Sequence, residues 1–441
     1  MRSLGSATSW DATLPAASSW SKQDAAPHAR LRLSVAQAIA AGLAIVAAQV
    51  AMVLALAPGA TLAERYVSLC QWDGWQYANI AEHGYHSTVP PVPNDIDRAN
   101  VAFFPGYPLL AGAVSRACHV SVPVALVLTA QMAAWGFWTY WLLLLMRCRA
   151  PRATAAAGTL LLAAHPGAYF LVVSYSESLF LLGVCGYLYW IAAERRGSTA
   201  WAVAQGMIMT GTRIAGLPLA FCPLLAALVG NGAPADDTSF SSGQGRGRQQ
   251  FRLVLVAAAA SLGGLAFFAY CQWRFGAWDL YLQAQRIGWQ VSPNYLWWLE
   301  PTSYVFFASL VYPNALWPDD VSRLCTLLTV AACAALAVCE VRAARRGDTQ
   351  WRGRLVYYTC AAVLFYVHAS GVSPIVMKSM LRYSLGAHAL LLLAMAQASG
   401  AMPSVATRIG RALARTWWLA VPLFALQAAL AWRFLHVAWV A

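Results

Sequence analysis

An all-helical protein threaded many times through a membrane is the fold class this sequence predicts, and two observations carry that prediction. Sixty percent of the 441 residues are hydrophobic and only 11% are charged. The apolar residues also fall in runs long enough to cross a hydrocarbon layer of roughly 30 Å, which takes about 20 residues of helix. Backbone polar groups have no water partners in lipid, so each run must satisfy them internally as a helix. The runs are nearly continuous and read as one membrane body over 34–441, where a soluble chain of this length would divide into two or three domains. No internal repeat is visible.

Residues 1–33 form a polar, Ser- and Ala-rich stretch without periodicity, expected to be a disordered cytoplasmic tail. The first apolar run, Ser34 to Ala57, ends before Pro58. Ala55 and Ala57 there resemble a small-residue cleavage site, but the apolar core exceeds the roughly 15 residues of a signal peptide, so an uncleaved anchor is expected. Further spans are expected over 120–146, 153–173, 178–193, a tight pair within 199–230, then 253–273, 321–341, 355–371, 384–400 and 417–436. The total is about eleven. The segment 231–252, NGAPADDTSFSSGQGRGRQQFR, reads as a Gly/Ser-rich cytoplasmic linker.

Basic residues set the orientation. With the N-terminus inside, 20 of the 30 Lys and Arg fall on the cytoplasmic side, from Arg2, Lys22, Arg30 and Arg32 through Arg147, Arg149 and Arg152 to Arg408, Arg411 and Arg415. Most lie in short loops, as the positive-inside rule requires. The net charge of +13 thus reflects topology and anionic lipid headgroups. Without a basic stripe interleaved with exposed aromatics, a nucleic-acid partner is not expected. Arg outnumbers Lys 28 to 2 and Ala is abundant, which points to a GC-rich genome and a bacterial inner membrane.

The opposite, periplasmic or lumenal face has two long segments, about 58–119 and 274–320. They carry Glu64, Asp73, Glu82, Asp95, Asp97, Asp279, Glu300, Asp319 and Asp320 among many Trp, Tyr and Pro. This is the composition of a site, although Trp and Tyr also populate the membrane–water interface for purely structural reasons. Most of the ten cysteines lie in apolar runs as small hydrophobes. Cys70 and Cys118, near the ends of the first external segment, could pair on an oxidising face. Glu82-His83 lacks the second histidine of H-E-x-x-H and the other histidines are scattered, so no metal site is expected. A need for a divalent metal is left open.

Within WDGWQYANIAEHGY, residues 72–85, Asp73 has two explanations. Asp-Gly-Trp-Gln is a helix-start pattern in which Asp73 caps the backbone and Gln76 returns the bond, with Gly84 closing the far end. An aspartate at the mouth of a membrane cavity also suits a general base. Cations accompany it: Arg213 in GTRIAGLPLA lies between apolar halves, and Lys378 and Arg382 in VSPIVMKSMLRYSL fall on the side where positive-inside logic does not place them. Charge at membrane depth is costly unless it meets protein, water or an anion. A lipid-phosphate headgroup would satisfy all three cations, and so would pairing with an internal carboxylate such as Glu177.

WDGWQYANIAEHGY and the following NVAFFPGYPLL (100–110) resemble the signature of the phosphatidylinositol-glycan class V (PIG-V) mannosyltransferases and their bacterial relatives. SYSESLF (174–180), TRIAGL (212–217) and SMLRYSLGAHALLLLA (379–394) follow in the family's order, so the resemblance covers roughly 40–400. It implies a GT-C-like membrane glycosyltransferase that takes a sugar, mannose by resemblance, from a polyprenyl-phosphate donor to an acceptor hydroxyl on the external face, with inversion. Carried over, Asp73 matches the Trp-Asp acid and becomes the general base. Glu177 matches the Ser-Glu acid, with an orienting or structural role, Arg213 the Thr/Ser-Arg position and Arg382 the Arg-Tyr pair. With Lys378, the two arginines would hold the donor phosphate, while Trp72, Trp75, Tyr77 and Tyr107 would stack on sugar or orient the acceptor. The proline-rich STVPPVPNDIDRA departs from the family by separating two of its blocks, so the acceptor does not transfer. A transporter or flippase of lipid-linked sugars would use the same residue types, and a non-catalytic scaffold would need Asp73 only as a cap.

Overall fold

A computed structural model of the protein describes residues 30–93, 95, 98–193, 197–231, 243–289, 291–305, 307–311, 316–345, 351–375, 377–401 and 415–436. The expected tail lies outside these through residue 29, as do 232–242 of the linker and part of the proline-rich insertion. Every regular element among the described residues is a helix, and the only strand-like contact is an isolated bridge between Arg30 and Pro151. Among the described residues six helices are long and apolar enough to cross a membrane: Val35–Leu56, Val122–Arg147, Gly247–Phe275, Trp317–Arg342, Trp351–Ile375 and Trp417–His436.

In chain order the helices are α1 (Val35–Leu56), α2 (Leu62–Val67), α3 (Asp73–His83), α4 (Gly106–Cys118), α5 (Val122–Arg147), α6 (Arg152–Ala163), α7 (Glu177–Ile191) and α8 (Ser198–Thr212). They continue with α9 (Gly216–Asn231), α10 (Gly243–Phe275), α11 (Leu280–Ile287), α12 (Ala308–Val311), α13 (Trp317–Arg345), α14 (Trp351–Val372), α15 (Met380–Ala401) and α16 (Ala420–His436). Local chemistry sets several ends. Ser34 and Gln37 form a capping box at the start of α1, which stops at Leu56, with the extended Ala57 before Pro58. Gly84 closes α3 at φ 78°, a conformation open to glycine. The centre of the bundle is α7, packed between α5 and α8; α8 packs in turn on α10, and α15 on α13 and α14. Trp138, Trp141, Tyr169, Phe170, Tyr175 and Tyr187 fill the main core with essentially no exposure.

The structure departs from the expected spans between 152 and 231. The single span predicted over 153–173 is broken: α6 ends at Ala163, His165-Pro166-Gly167 turns the chain, and Ala168–Leu171 is a 3-10 turn. Proline cannot continue a helix, because it lacks the N–H and clashes with the preceding turn. The next helices, α7 and α8, have 15 residues each and α9 has 16. At 1.5 Å per residue they are about 22–24 Å long, short of the roughly 30 Å hydrocarbon layer.

These short helices share one end of the bundle with the termini of longer ones. Leu31 donates to the Ala150 carbonyl, Arg152 to Arg30, Arg147 to Tyr189 and Ala192, and Arg252 to Ala193 and Ser198. Those bonds gather the ends of α1, α5, α6, α7, α8 and α10, with Arg30, Arg147, Arg152 and Arg252 among them, into one basic face. The 164–176 and 213–215 turns, where the short helices reverse, therefore lie at the opposite level. Irregular backbone at that depth is tolerated where it is buried in protein or lines a cavity.

Candidate active site

Two glycines let the segments that carry the charged residues approach each other. A Cβ on Gly74 would meet Ser174 Oγ at 2.1 Å, so the start of α3 can lie on the 174–177 segment only without a side chain there. A Cβ on Gly167 would lie 2.5 Å from the Leu381 carbonyl, so the turn after α6 can press against the start of α15. Asp73 and Glu177 are the first residues of α3 and α7, and Arg213 is the C-cap of α8. Each thus carries the charge that its helix end favours. Arg382 in the first turn of α15 is the exception and depends on nearby carboxylates.

It has them. Arg382 Nη1 donates to Asp73 Oδ2 at 2.6 Å, and its Nε lies 3.7 Å from Glu177 Oε1. Arg213 Nη2 pairs with the same Glu177 oxygen, while its Nε donates to Ser176 Oγ at 3.2 Å. Tyr77 donates its hydroxyl to that Oγ at 3.0 Å. Burial pushes the Tyr77 phenol up from its ordinary value against the pull of Arg213, so it stays a neutral donor. The guanidinium of Arg382 lies over the rings of Tyr175 and Tyr383 at 5.2 and 4.8 Å, and its Nη2 donates to the Tyr383 hydroxyl at 3.0 Å. Four charges from widely separated parts of the chain alternate in sign in one buried array, Asp73–Arg382–Glu177–Arg213, with Asp73, Glu177 and Arg382 all under a tenth exposed.

Three of these charges, Asp73, Arg213 and Arg382, help to wall a cavity of about 350 Å³, within the range of small-molecule sites. Asp73, Arg213, Arg382 and Lys378 all line it, with Tyr77, Phe103 and Phe104 beside them. Lys378 has no carboxylate within ion-pair distance among the described residues. Met377 and Ser379 on either side of it take φ of 58° and 69°, and Trp72 before Asp73 takes 54°. Such angles are uncommon for residues other than glycine and cluster at functional sites.

Further lining residues carry no signal specific enough to read from sequence: Tyr281, Gln285 and Trp289 from the second external segment, and His368 and Tyr383 from α14 and α15. Gln285 is tied to the first segment by a 2.8 Å bond to the Ala102 carbonyl, and Tyr281 packs edge-on against Phe104. Trp289 Nε1 and Glu177 Oε2 are buried without a hydrogen-bond partner among the described residues. His368 stacks on Tyr383 at 4.3 Å and donates through Nδ1 to the Leu364 carbonyl, which leaves Nε2 as the acceptor in the neutral ring.

Other candidates lie elsewhere. Tyr107 is fully buried, donates to the Leu126 carbonyl and packs edge-on against Tyr77. Trp72 and Trp75 are 39% and 49% exposed and do not line the cavity; Trp72 Nε1 reaches the Phe434 carbonyl. The helix-start pattern is displaced by one residue: Trp72 is the N-cap of α3 and Asp73 its first helical residue, with Oδ2 engaged by Arg382. Most external carboxylates serve their own loops. Glu64 closes a capping box, Asp279 accepts from Gln283, Glu300 from Asn294, and Asp320 from Ser309. Cys70 is buried, Cys118 exposed, and both are free thiols. Among the described residues no group of three or more His, Cys, Asp or Glu is arranged to hold a metal ion.

A scan against models of known protein families finds no match to this chain, and no curated protein sequence matches it significantly.

Proposed function

We propose that the protein is a membrane glycosyltransferase of the GT-C type, similar to the PIG-V-like mannosyltransferases. It moves a sugar, mannose by that resemblance, from a polyprenyl phosphate to an acceptor hydroxyl with inversion. The observation that carries the proposal is the convergence of Asp73, Arg213, Arg382 and Lys378 in the wall of one aromatic cavity, at the level opposite the basic face. The positive-inside rule assigns that basic face to the cytoplasm and the cavity to the periplasmic or lumenal side.

In the reaction Asp73 takes the proton of the acceptor hydroxyl as its oxygen bonds to the anomeric carbon. The bond from that carbon to the phosphate oxygen breaks, and the polyprenyl phosphate leaves with the electron pair. Arg382 and Lys378 stabilise the departing charge where burial strengthens such electrostatics. Glu177 holds Arg213 and the edge of Arg382 in place, and Tyr77, Phe103 and Trp289 form the walls against which a sugar ring would stack. A positioned general base is worth about 10²–10⁴ in rate.

The test is turnover of a short-chain polyprenyl-phosphate mannose with a membrane lipid extract, scored as released polyprenyl phosphate and mannosylated product. Wild type should turn over, and a folded Asp73→Asn variant should lose about 10²–10⁴-fold. Equal turnover by both would remove Asp73 from the chemistry. The rival reading, a transporter of lipid-linked sugars, is favoured by the short helices that reverse at the level of the cavity, a feature of transporter sites. It predicts translocation of the intact donor without cleavage, which the same assay separates.

A further inference from the structure

The cluster of charges has a feature that a simple general base does not need: one of the two carboxylate oxygens of Asp73 is already held by a buried cation. Asp73 Oδ2 accepts the Arg382 Nη1 bond at 2.6 Å, with both side chains under a tenth exposed. The guanidinium lies over the Tyr175 and Tyr383 rings, 5.2 and 4.8 Å from their centroids. Arg213 is committed to Glu177 and Ser176. Lys378 lies in the same cavity with no carboxylate within ion-pair distance among the described residues.

We propose that Asp73 and the donor phosphate compete for Arg382, so that donor binding frees the base. Without donor the guanidinium neutralises Asp73 and every charge of the cluster is paired. A phosphate that enters toward Lys378 offers Arg382 oxygens with bidentate geometry, which a guanidinium favours. As Arg382 turns its donors to the phosphate, Asp73 Oδ2 loses its partner and faces the acceptor side of the cavity as a free carboxylate. No bond is made or broken in this step; one ion pair is exchanged for another. The positive-φ residues lie beside the two parties, Trp72 before Asp73 and Met377 and Ser379 around Lys378. Backbone held in such conformations is typical of switch segments. The consequence is ordered binding, donor before acceptor, and a base that is silent while the donor site is empty.

The inference rests on the phosphate-binding reading of the site, and its test separates the two. The probe is a short-chain polyprenyl phosphate, titrated in detergent by calorimetry against wild type and the Asp73→Asn, Asp73→Ser, Arg382→Ala and Lys378→Ala variants, each checked for folding by thermal unfolding. Removing the competitor should tighten binding to Asp73→Asn and Asp73→Ser roughly 5- to 100-fold over wild type, the span of an ordinary coupling between two ligands. Arg382→Ala and Lys378→Ala should weaken it. Unchanged or weaker binding by both Asp73 variants, with weakening in Arg382→Ala and Lys378→Ala, overturns the competition and leaves phosphate binding standing. No binding by any of the five proteins, or equal binding by all five, overturns the phosphate reading and the competition with it. The serine variant, smaller than asparagine and unable to span to Arg382, decides the matter if asparagine keeps a residual bond or fails to fold.

Discussion

At the scale of single residues, the site is a problem of buried charge. Arg213 and Glu177 form a pair whose side chains are 14% and 4% exposed. Desolvating two ions is expensive, and the attraction between them offsets that cost only while both are present. Glu177→Ala should therefore destabilise the fold by about 3–5 kcal/mol by leaving Arg213 buried and uncompensated. Replacing both by methionine should cost much less, and denaturant or thermal unfolding in detergent would show the difference. Equal losses in the two would mean that the pair is not what stabilises this part of the fold. Loss of Lys378, which has no carboxylate within ion-pair distance among the described residues and acts on Asp319 only from further away, should cost about 1 kcal/mol or less while weakening phosphate binding.

At the scale of elements, the site depends on helices that stop. α6, α7, α8 and α9 reverse at the level of the charged cluster, and their turns bring Glu177 and Arg213 together. Close approach of α3 to the 174–177 segment completes the cluster, and Gly74 is the contact that permits it. Gly74→Ala should cost about 1–3 kcal/mol by overpacking against Ser174 and reduce turnover with it. Adding Ser174→Ala removes the hydroxyl that lies 2.1 Å from the new Cβ and should recover part of the loss, a coupling that a double-mutant cycle measures. Additive losses would show that the two segments do not press on one another.

At the scale of the whole molecule, charge is segregated between the two ends of the bundle. The arginine-rich termini of α1, α5, α6 and α10 are joined by hydrogen bonds at one end. Cys118, at the end of α4 just before α5 begins, is exposed at the other. A membrane-impermeant maleimide should label Cys118 in intact cells, and Cys118→Ser should abolish that signal. Labelling only after permeabilisation would reverse the proposed orientation and place the cavity on the cytoplasmic side.

The helical membrane architecture was legible in the chain because the need to satisfy backbone groups in lipid writes itself as long apolar runs. Arg213 was legible for a related reason, since a charge between apolar halves is too costly to be incidental. Lys378 and Arg382 were legible because they fall where the positive-inside rule does not place cations, and Asp73 and Glu177 through the motifs that carry the resemblance. Partnership was not. Sequence left open whether the arginines meet a ligand or a carboxylate, and the fold brings Arg382 to Asp73 across 309 positions of the chain. Trp75 and Trp289 are both aromatics near the membrane surface, yet only Trp289 lines the cavity. Nothing local distinguishes them, because which aromatic faces a cavity depends on how α11 docks against the 102–104 turn. Residue chemistry along the chain thus determined which groups demand an explanation. The packing of short helices, glycine contacts and turns decided which of them meet, since contact between distant segments is a property of the whole fold.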